Sequence, residues 1–304
     1  MKTSFKKVRN RPALLFVTVA IVAFVLTGCE KTIDIELNET EEKLVVEATI
    51  ENGQAPRVTL TRSINYFSNI GFDRLNTIFV HNADIQVSNG SRTHKLKEYT
   101  VALAPGVNIY YYGVDSSSLS TAFAGELDHA YTLRIVSEGK EYNSTTTIPK
   151  ITKTIDSIYW RQAPAPADTS KAVVIVKATD PPGFGDYIRY YTKPVSEPVY
   201  QAPFNSVFDD LFIDGTTYEV QVQPGVDRNS DSAEGDFFPK GDTVQFKLSN
   251  IDRATFDFWR TWEYSFAAIG NPFANPARIL GNISNGALGS FTGYASQYRT
   301  LILR

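Results

Sequence analysis

The most legible chemistry in the sequence belongs to its single cysteine. Cys29 follows Leu26-Thr27-Gly28 and is the only thiol among 304 residues. A leucine, two small residues and a cysteine make the pattern of a bacterial lipobox. The small side chains fit a narrow peptidase site, and the cysteine thiolate is the nucleophile that accepts diacylglycerol. A lone thiol also excludes an intramolecular disulfide and a cysteine-rich zinc centre.

The remaining reactive types are sparse. His81, His94 and His129 are the only histidines. A three-histidine metal site needs all of them to converge. His81 and His94 flank a predicted hairpin, whereas His129 stands beside Asp128 in a predicted turn, so they read as unrelated surface histidines. Asp227 to Asp236 sets oxygen donors at alternating positions, as a calcium loop does. Ser232 takes the glycine position there and Phe238 that of the closing glutamate, so a solvated acidic loop is the better reading. There is no Gly-x-Ser-x-Gly elbow. Gly281 to Gly289 is followed by no lysine and opens no helix, unlike a phosphate loop. Nothing places two acids at strand ends around a cleft, as glycoside hydrolysis requires. No catalytic residue, metal ligand or cofactor is therefore assigned.

Aromatic residues make up 12% of the chain and cluster in sequence. Tyr110-Tyr111-Tyr112 must face both sides of a strand. Tyr66-Phe67 and the series Phe204, Phe208 and Phe212 lie in loop-like segments whose aromatics the strand pattern does not need. They are the candidate partner contacts, because aromatic anchors dominate protein interfaces.

These residues need a scaffold, and the chain begins with a leader. Lys2, Lys6, Lys7, Arg9 and Arg11 precede Ala13 to Leu26, a run of 14 residues that is apolar except for Thr18. That length suits a signal-peptide core and falls short of the roughly 20 residues needed to span a bilayer. Residues 1–28 read as signal peptide and 29–42 as a lipidated acidic tether, in which Lys31 is the only base. Cleavage before Cys29 removes five of the 30 basic residues and leaves 25 against 33 acidic ones, about −8. Without a basic excess, nucleic acid is not an expected partner. Acyl chains on Cys29 anchor the protein without a membrane-spanning helix.

Residues 43–149 carry short alternating runs: Leu44 to Ile50, Val58 to Thr61, Ala83 to Ser88, Tyr131 to Val136 and Tyr142 to Ile148. Asn89-Gly90 is a hairpin signal, with His94 to Tyr99 returning. This spacing predicts an immunoglobulin-like β-sandwich. Pro149 marks a boundary, and residues 150–304 read as a second β-rich domain. Strands are expected at Ile151 to Trp160, Val173 to Ala178, Tyr187 to Thr192, Tyr218 to Val222 and Thr243 to Leu248. One amphipathic helix is expected near 249–269, with Ser249 and Asp252 as its capping box and Gly270 as its stop. Its apolar stripe runs through Ile251, Ala254, Phe258, Trp259, Trp262 and Phe266, which predicts mostly buried tryptophans. Ala287 to Tyr294 and Ser296 to Leu303 read as a terminal strand pair.

Several of these strings together resemble one family. Lys43-Leu44-Val45-Val46-Glu47 follows the lipobox, then Ser63-Ile64-Asn65-Tyr66-Phe67-Ser68-Asn69. Ile155-Asp156-Ser157-Ile158 opens the second half, and Gly241-Asp242-Thr243-Val244 precedes Ile251-Asp252. Phe258-Trp259-Arg260-Thr261, Asn271-Pro272-Phe273 and Gly281-Asn282-Ile283-Ser284-Asn285-Gly286 complete the set with Ala287-Leu288-Gly289. The chain resembles domain-of-unknown-function family 4249, envelope lipoproteins of the Bacteroidota. The likeness is strongest from Gly241 to Thr300, and Ser290 stands where an aromatic is expected before Phe291. Members are often encoded beside TonB-dependent outer-membrane receptors. The resemblance implies an outer-membrane, lipid-anchored, non-enzymatic accessory of such a receptor, facing either the periplasm or the cell surface. It brings no catalytic residues. The alternatives are a binding module for an extracellular glycan, peptide or metal complex, and then an envelope hydrolase.

Overall fold

Alternating apolar and polar residues build the first sandwich of the computed structural model, which describes residues 41–64, 77–165, 168–228, 236–271, 273–274 and 278–304. Its strands are β1 (Leu44–Glu51), β2 (Arg57–Arg62), β3 (Asp84–Ser88), β4 (Thr93–Ala104), β5 (Val107–Val114), β6 (His129–Ser137) and β7 (Lys140–Ile148). Every second residue is buried: Val46, Ala48 and Ile50 on β1, Ile85 and Val87 on β3, and Tyr131, Leu133 and Ile135 on β6. That is the period of a sheet with one covered face. Asn89-Gly90 forms the predicted turn. The Asn89 carboxamide oxygen accepts the N–H groups of Ser91 and Arg92 at 3.2 and 2.8 Å, and Gly90 adopts the left-handed backbone with φ +84°. β4 joins two layers, because Thr93 to Lys95 pair with β3 while Leu96 to Ala104 pair with β5.

The second half contributes β8 (Thr154–Gln162), β9 (Lys171–Thr179), β10 (Tyr187–Pro194), β11 (Val207–Phe208), β12 (Thr217–Val222), β13 (Phe238–Pro239), β14 (Thr243–Ile251), helix α1 (Arg253–Ala267) and β15 (Leu288–Ile302). An 11-stranded sheet runs in the order β11-β10-β14-β15-β1-β2-β5-β4-β3-β6-β7, and a 4-stranded sheet combines β12, β9, β13 and β8. The fold is mainly β and sandwich-like. One core unites β1, β2, β3, β6 and β7 with Phe291 and Ala295 of β15. A second lies between the small sheet and β10 and β14, and includes Val174, Val176, Tyr190, Phe246 and Leu248. The core residues divide near Pro149, yet β15 serves both groups, and residues 41–304 form one compact unit.

The expected terminal strand pair is instead one strand of 15 residues. It does not turn at Ala295 but changes partner there. Val45 to Glu51 pair in parallel with Leu288 to Tyr294, and Asn250 to Thr243 pair antiparallel with Ala295 to Ile302. Gly289 makes the close approach to β1 possible: a Cβ at that position would lie 2.0 Å from the Val46 carbonyl oxygen.

The helix also differs at its start. Ser249 to Ile251 complete β14, and Asp252 is itself the N-cap, accepting the Thr255 N–H at 2.8 Å. Asp252 cannot serve both as cap and as the third residue of a box begun by Ser249. Its other carboxylate oxygen accepts the Thr147 N–H at 3.0 Å, which binds the helix start to β7. Phe256 and Phe258 are buried, Ala254 is exposed, and Trp259 and Trp262 are half-buried rather than mostly buried. Among the described residues, no helix is long and apolar enough to cross a membrane.

Candidate functional site

The same alternation that fills the second core equips the opposite face of its sheet. Ile188 and Tyr190 of β10 point into the core, so Arg189 and Tyr191 point away. On β14, Phe246 and Leu248 are core residues and Lys247 is opposite. This outer face, together with the neighbouring part of β1 and the Trp259–Trp262 side of α1, encloses an open cleft of about 800 Å³. Glu51, Arg189, Tyr191, Arg228, Lys247 and Trp259 define its chemistry.

Arg189 is its centre. Only 4% of the residue is exposed. Its guanidinium lies 3.3 Å from the centroid of Trp259 and 4.8 Å from that of Tyr191. A cation flat on an indole is held by the negative face of the ring, most strongly where water is excluded. Arg189 Nε donates to the Ser206 hydroxyl at 3.0 Å. The Ser206 N–H donates to Glu263 at 3.0 Å and its hydroxyl donates to the other oxygen of the same carboxylate. Glu263 thus balances Arg189 through Ser206, an arrangement that offsets part of the cost of burying both charges. Among the described residues, no hydrogen-bond acceptor meets the two terminal nitrogens of Arg189. The Trp259 N–H donates to the Tyr294 hydroxyl at 2.8 Å and fixes the indole under the guanidinium.

Two further cations flank this centre. Lys247 forms an ion pair with Glu51, whose other oxygen accepts the Tyr298 hydroxyl. Arg228 donates to the carbonyls of Ala202 and Pro203 at 3.4 and 2.7 Å and lies 5.1 Å from the Trp262 ring. Burial lowers the Arg228 pKa from its ordinary value, although Glu263 opposes the change. Burial pushes the Tyr191 phenol well above its usual range, with Arg189 opposing. Arg189, Arg228 and Lys247 line the cleft together with the carboxylates of Glu47, Glu51 and Asp227, so its charges are mixed rather than of one sign. Such a site can hold a carboxylate, sulfate or phosphate on the guanidinium fork and a flat or apolar body on the rings.

The nominated aromatics Phe204, Phe208 and Phe212 are not among the residues that line this cleft. Arg228, which binds the Ala202 and Pro203 carbonyls, lies 5.9 Å from the ring of Phe204, and Phe204 is half-exposed. Phe208 stacks on Tyr190 at 6.1 Å and keeps an exposed edge. Phe212 is 95% exposed, beside exposed Leu211. Tyr66 and Phe67 lie outside the described residues, as do Leu26, Thr27, Gly28, Cys29 and most of the acidic loop that begins at Asp227. Of Tyr110 to Tyr112, only Tyr112 is buried. Its phenol donates to the Val80 carbonyl at 2.9 Å, and burial raises its pKa to about 12.

The histidines lie in the first sandwich with separate partners. His81 pairs with Glu98. His94 is not at the surface: it is fully buried, contacts the Thr121 hydroxyl at 2.8 Å, and accepts the Asp115 N–H on Nε2 at 3.0 Å. His129 contacts the Asn89 carbonyl at 2.7 Å. Sequence reasoning missed Arg189, Lys247 and Glu263. The available signal was their place in apolar runs: Arg189 between Ile188 and Tyr190, and Glu263 four residues after Trp259 on α1.

The model of domain-of-unknown-function family 4249 matches residues 30–300, and the chain belongs to that family. No curated protein matches the sequence. Among solved structures, a chain of one titled as a cytokine receptor complex is similar at 10% identity, covering 85% of this chain and 96% of that one. The TM-score is 0.23, below the level at which two chains share a fold.

Proposed function

We propose that this family member is a lipid-anchored, non-enzymatic protein of the outer membrane that docks on a TonB-dependent receptor. The observation that carries the reading is the loop after β11, where Phe212 is 95% exposed beside exposed Leu211. Exposed large apolar side chains grouped on a loop favour a protein contact. The lipobox at Cys29 supports the anchor, and confinement to one membrane lets a small contact suffice by raising effective concentration. Recovery of a receptor from detergent-solubilised outer membrane tests the reading. Phe212→Ser should lower the yield of receptor without moving the melting temperature. An unchanged yield removes this segment as the contact. Cys29→Ser should release the protein from the membrane fraction or leave the leader uncleaved.

The cleft supports a second reading, a binding module for an extracellular ligand. The specific observation is the buried Arg189, which lines the cleft with its guanidinium stacked on Trp259. An acidic glycan or a peptide carboxylate fits that chemistry. A thermal-shift screen of acidic sugars and peptides tests it. Arg189→Lys, which keeps the charge and loses the fork, should weaken any hit about tenfold or more.

A further inference from the structure

Two loops meet just before β10, where the Gly185 and Asp186 N–H groups reach Asp210. Residues 180–186 carry Asp180, Gly183, Phe184 and Gly185, and residues 209–215 carry Asp210, Leu211, Phe212 and Asp214. One carboxylate oxygen from each of Asp180, Asp210 and Asp214 lies within 4.8 Å of the other two. Two oxygens bound to one calcium ion at about 2.4 Å each can be separated by up to that distance.

Asp180 supplies the independent observation. It is 1% exposed, and neither of its carboxylate oxygens has a hydrogen-bond partner among the described residues. Lys153 is also fully buried, and its ammonium stands 3.4 Å from Asp180 Oδ1 without a hydrogen bond. That is longer than the roughly 2.7–2.9 Å of a charge-assisted N–H···O contact. Asp186 and Asp210 add negative charge nearby, and burial together with these neighbours raises the Asp180 pKa despite Lys153. One buried ammonium therefore faces several carboxylates. Backbone groups aim the others: Asp210 accepts the Gly185 and Asp186 N–H groups at 2.8 and 3.0 Å, and Asp214 accepts the Gly183 N–H at 2.5 Å. The Asp186 carboxylate is held by the Thr152 hydroxyl at 2.7 Å.

We propose that Asp180, Asp210 and Asp214 bind a calcium ion that ties the two loops together. The donors are all oxygen and mostly anionic, which selects a hard divalent cation. The ion neutralises the excess carboxylate charge that Lys153 leaves and fixes the spacing of Phe184 and Phe212, the most exposed aromatics of the two loops. The site does not depend on the docking reading, because it is tested without a partner.

The experiment is calorimetric titration of chelator-treated, detergent-solubilised full-length protein with calcium chloride, alongside thermal melting. Calcium should bind at one site and raise the melting temperature, and chelator should reverse the rise. Asp214→Asn, at the less buried ligand, should keep the calcium-free melting temperature and weaken binding about tenfold or more. Asp180→Asn strands the Lys153 charge and can fail to fold, so Asp214→Asn is the decisive variant. No heat and no shift at millimolar calcium overturns the proposal. So does an equal shift in Asp214→Asn, which places binding elsewhere, for example in the acidic loop after Asp227. An equal shift with sodium chloride of the same ionic strength also overturns it, because that is screening.

Discussion

The two sandwiches bury different kinds of atoms. In the first, Val46, Ile50, Ile85, Leu133, Ile135 and Ile148 are sealed from water, and its buried histidine, His94, is neutral and bonded on both ring nitrogens. In the second, Lys153, Asp180, Arg189, Asp210 and Glu263 are buried among the strands and the helix. Burying a charge costs far more than burying a methyl group gains, so ionic groups stay inside only where partners or a ligand compensate. The first region is a stability core. The second carries both chemical sites, the cleft around Arg189 and the carboxylates around Asp180.

Mutations can break this contrast. The largest effect is expected at Glu263. Glu263→Ala leaves Arg189 without its balancing charge and should cost about 3–5 kcal/mol, read from urea denaturation. Glu263→Gln, which still accepts from Ser206, should recover much of the loss. If both variants are nearly neutral, the ionic network is not structural. Leu133→Ala in the first core should cost about 3 kcal/mol as an ordinary cavity. Trp259→Ala should cost less, about 2 kcal/mol, because the indole is only half-buried and loses one stacked cation and one hydrogen bond. A loss as large as that at Leu133 would make α1 a core helix after all.

A smaller, pH-dependent effect sharpens the other side of the comparison. Burial lowers the His94 pKa, with Asp115 opposing. A depressed folded-state pKa means that the neutral imidazole favours the fold. Its contribution is complete above the unfolded value, near 6.5. It is lost as the pH falls through the folded value, because a protonated Nε2 cannot accept the Asp115 N–H. Melting temperatures measured from pH 7.5 to 5 should fall less steeply in His94→Gln than in the parent. Parallel curves would show that His94 is not the sensor. The smallest stability effect belongs to Phe212→Ser, within about 0.5 kcal/mol, since the ring touches little of the body.

Most strands were legible because a half-covered sheet writes its period into the residues. Val58-Thr59-Leu60 and Ile85-Gln86-Val87 could be read directly. β15 reads as two strands, Ala287 to Tyr294 and Ser296 to Leu303, because nothing in the residues shows that one strand runs on past Ala295 while its partner changes from β1 to β14; its glycines are adaptations to close neighbours. A Cβ at Gly293 would lie 2.4 Å from the Thr147 carbonyl oxygen. The helix was legible, but its buried face was not. Trp259 and Trp262 satisfy a core stripe equally well when they wall a cleft. The site itself was hidden because Arg189, Ser206, Lys247 and Glu263 come from separate elements: pairing of β10 with β11 brings Arg189 to Ser206, and pairing with β14 sets Lys247 opposite Tyr191. Asp180, Asp210 and Asp214 were hidden for the same reason, since their adjacency depends on two loops meeting.

The parallel pairing of Val45 with Leu288 has a consequence for how the chain reaches its native state. Loop closure across so long a stretch is entropically slow, and folding rates fall as contacts become more distant in sequence. During synthesis β1 can hairpin with β2 early, but its other edge waits until residues 288–294 emerge. An incomplete chain therefore keeps an open strand edge and unfinished cores. The topology itself holds back closure of the sheet until nearly the whole polypeptide is available.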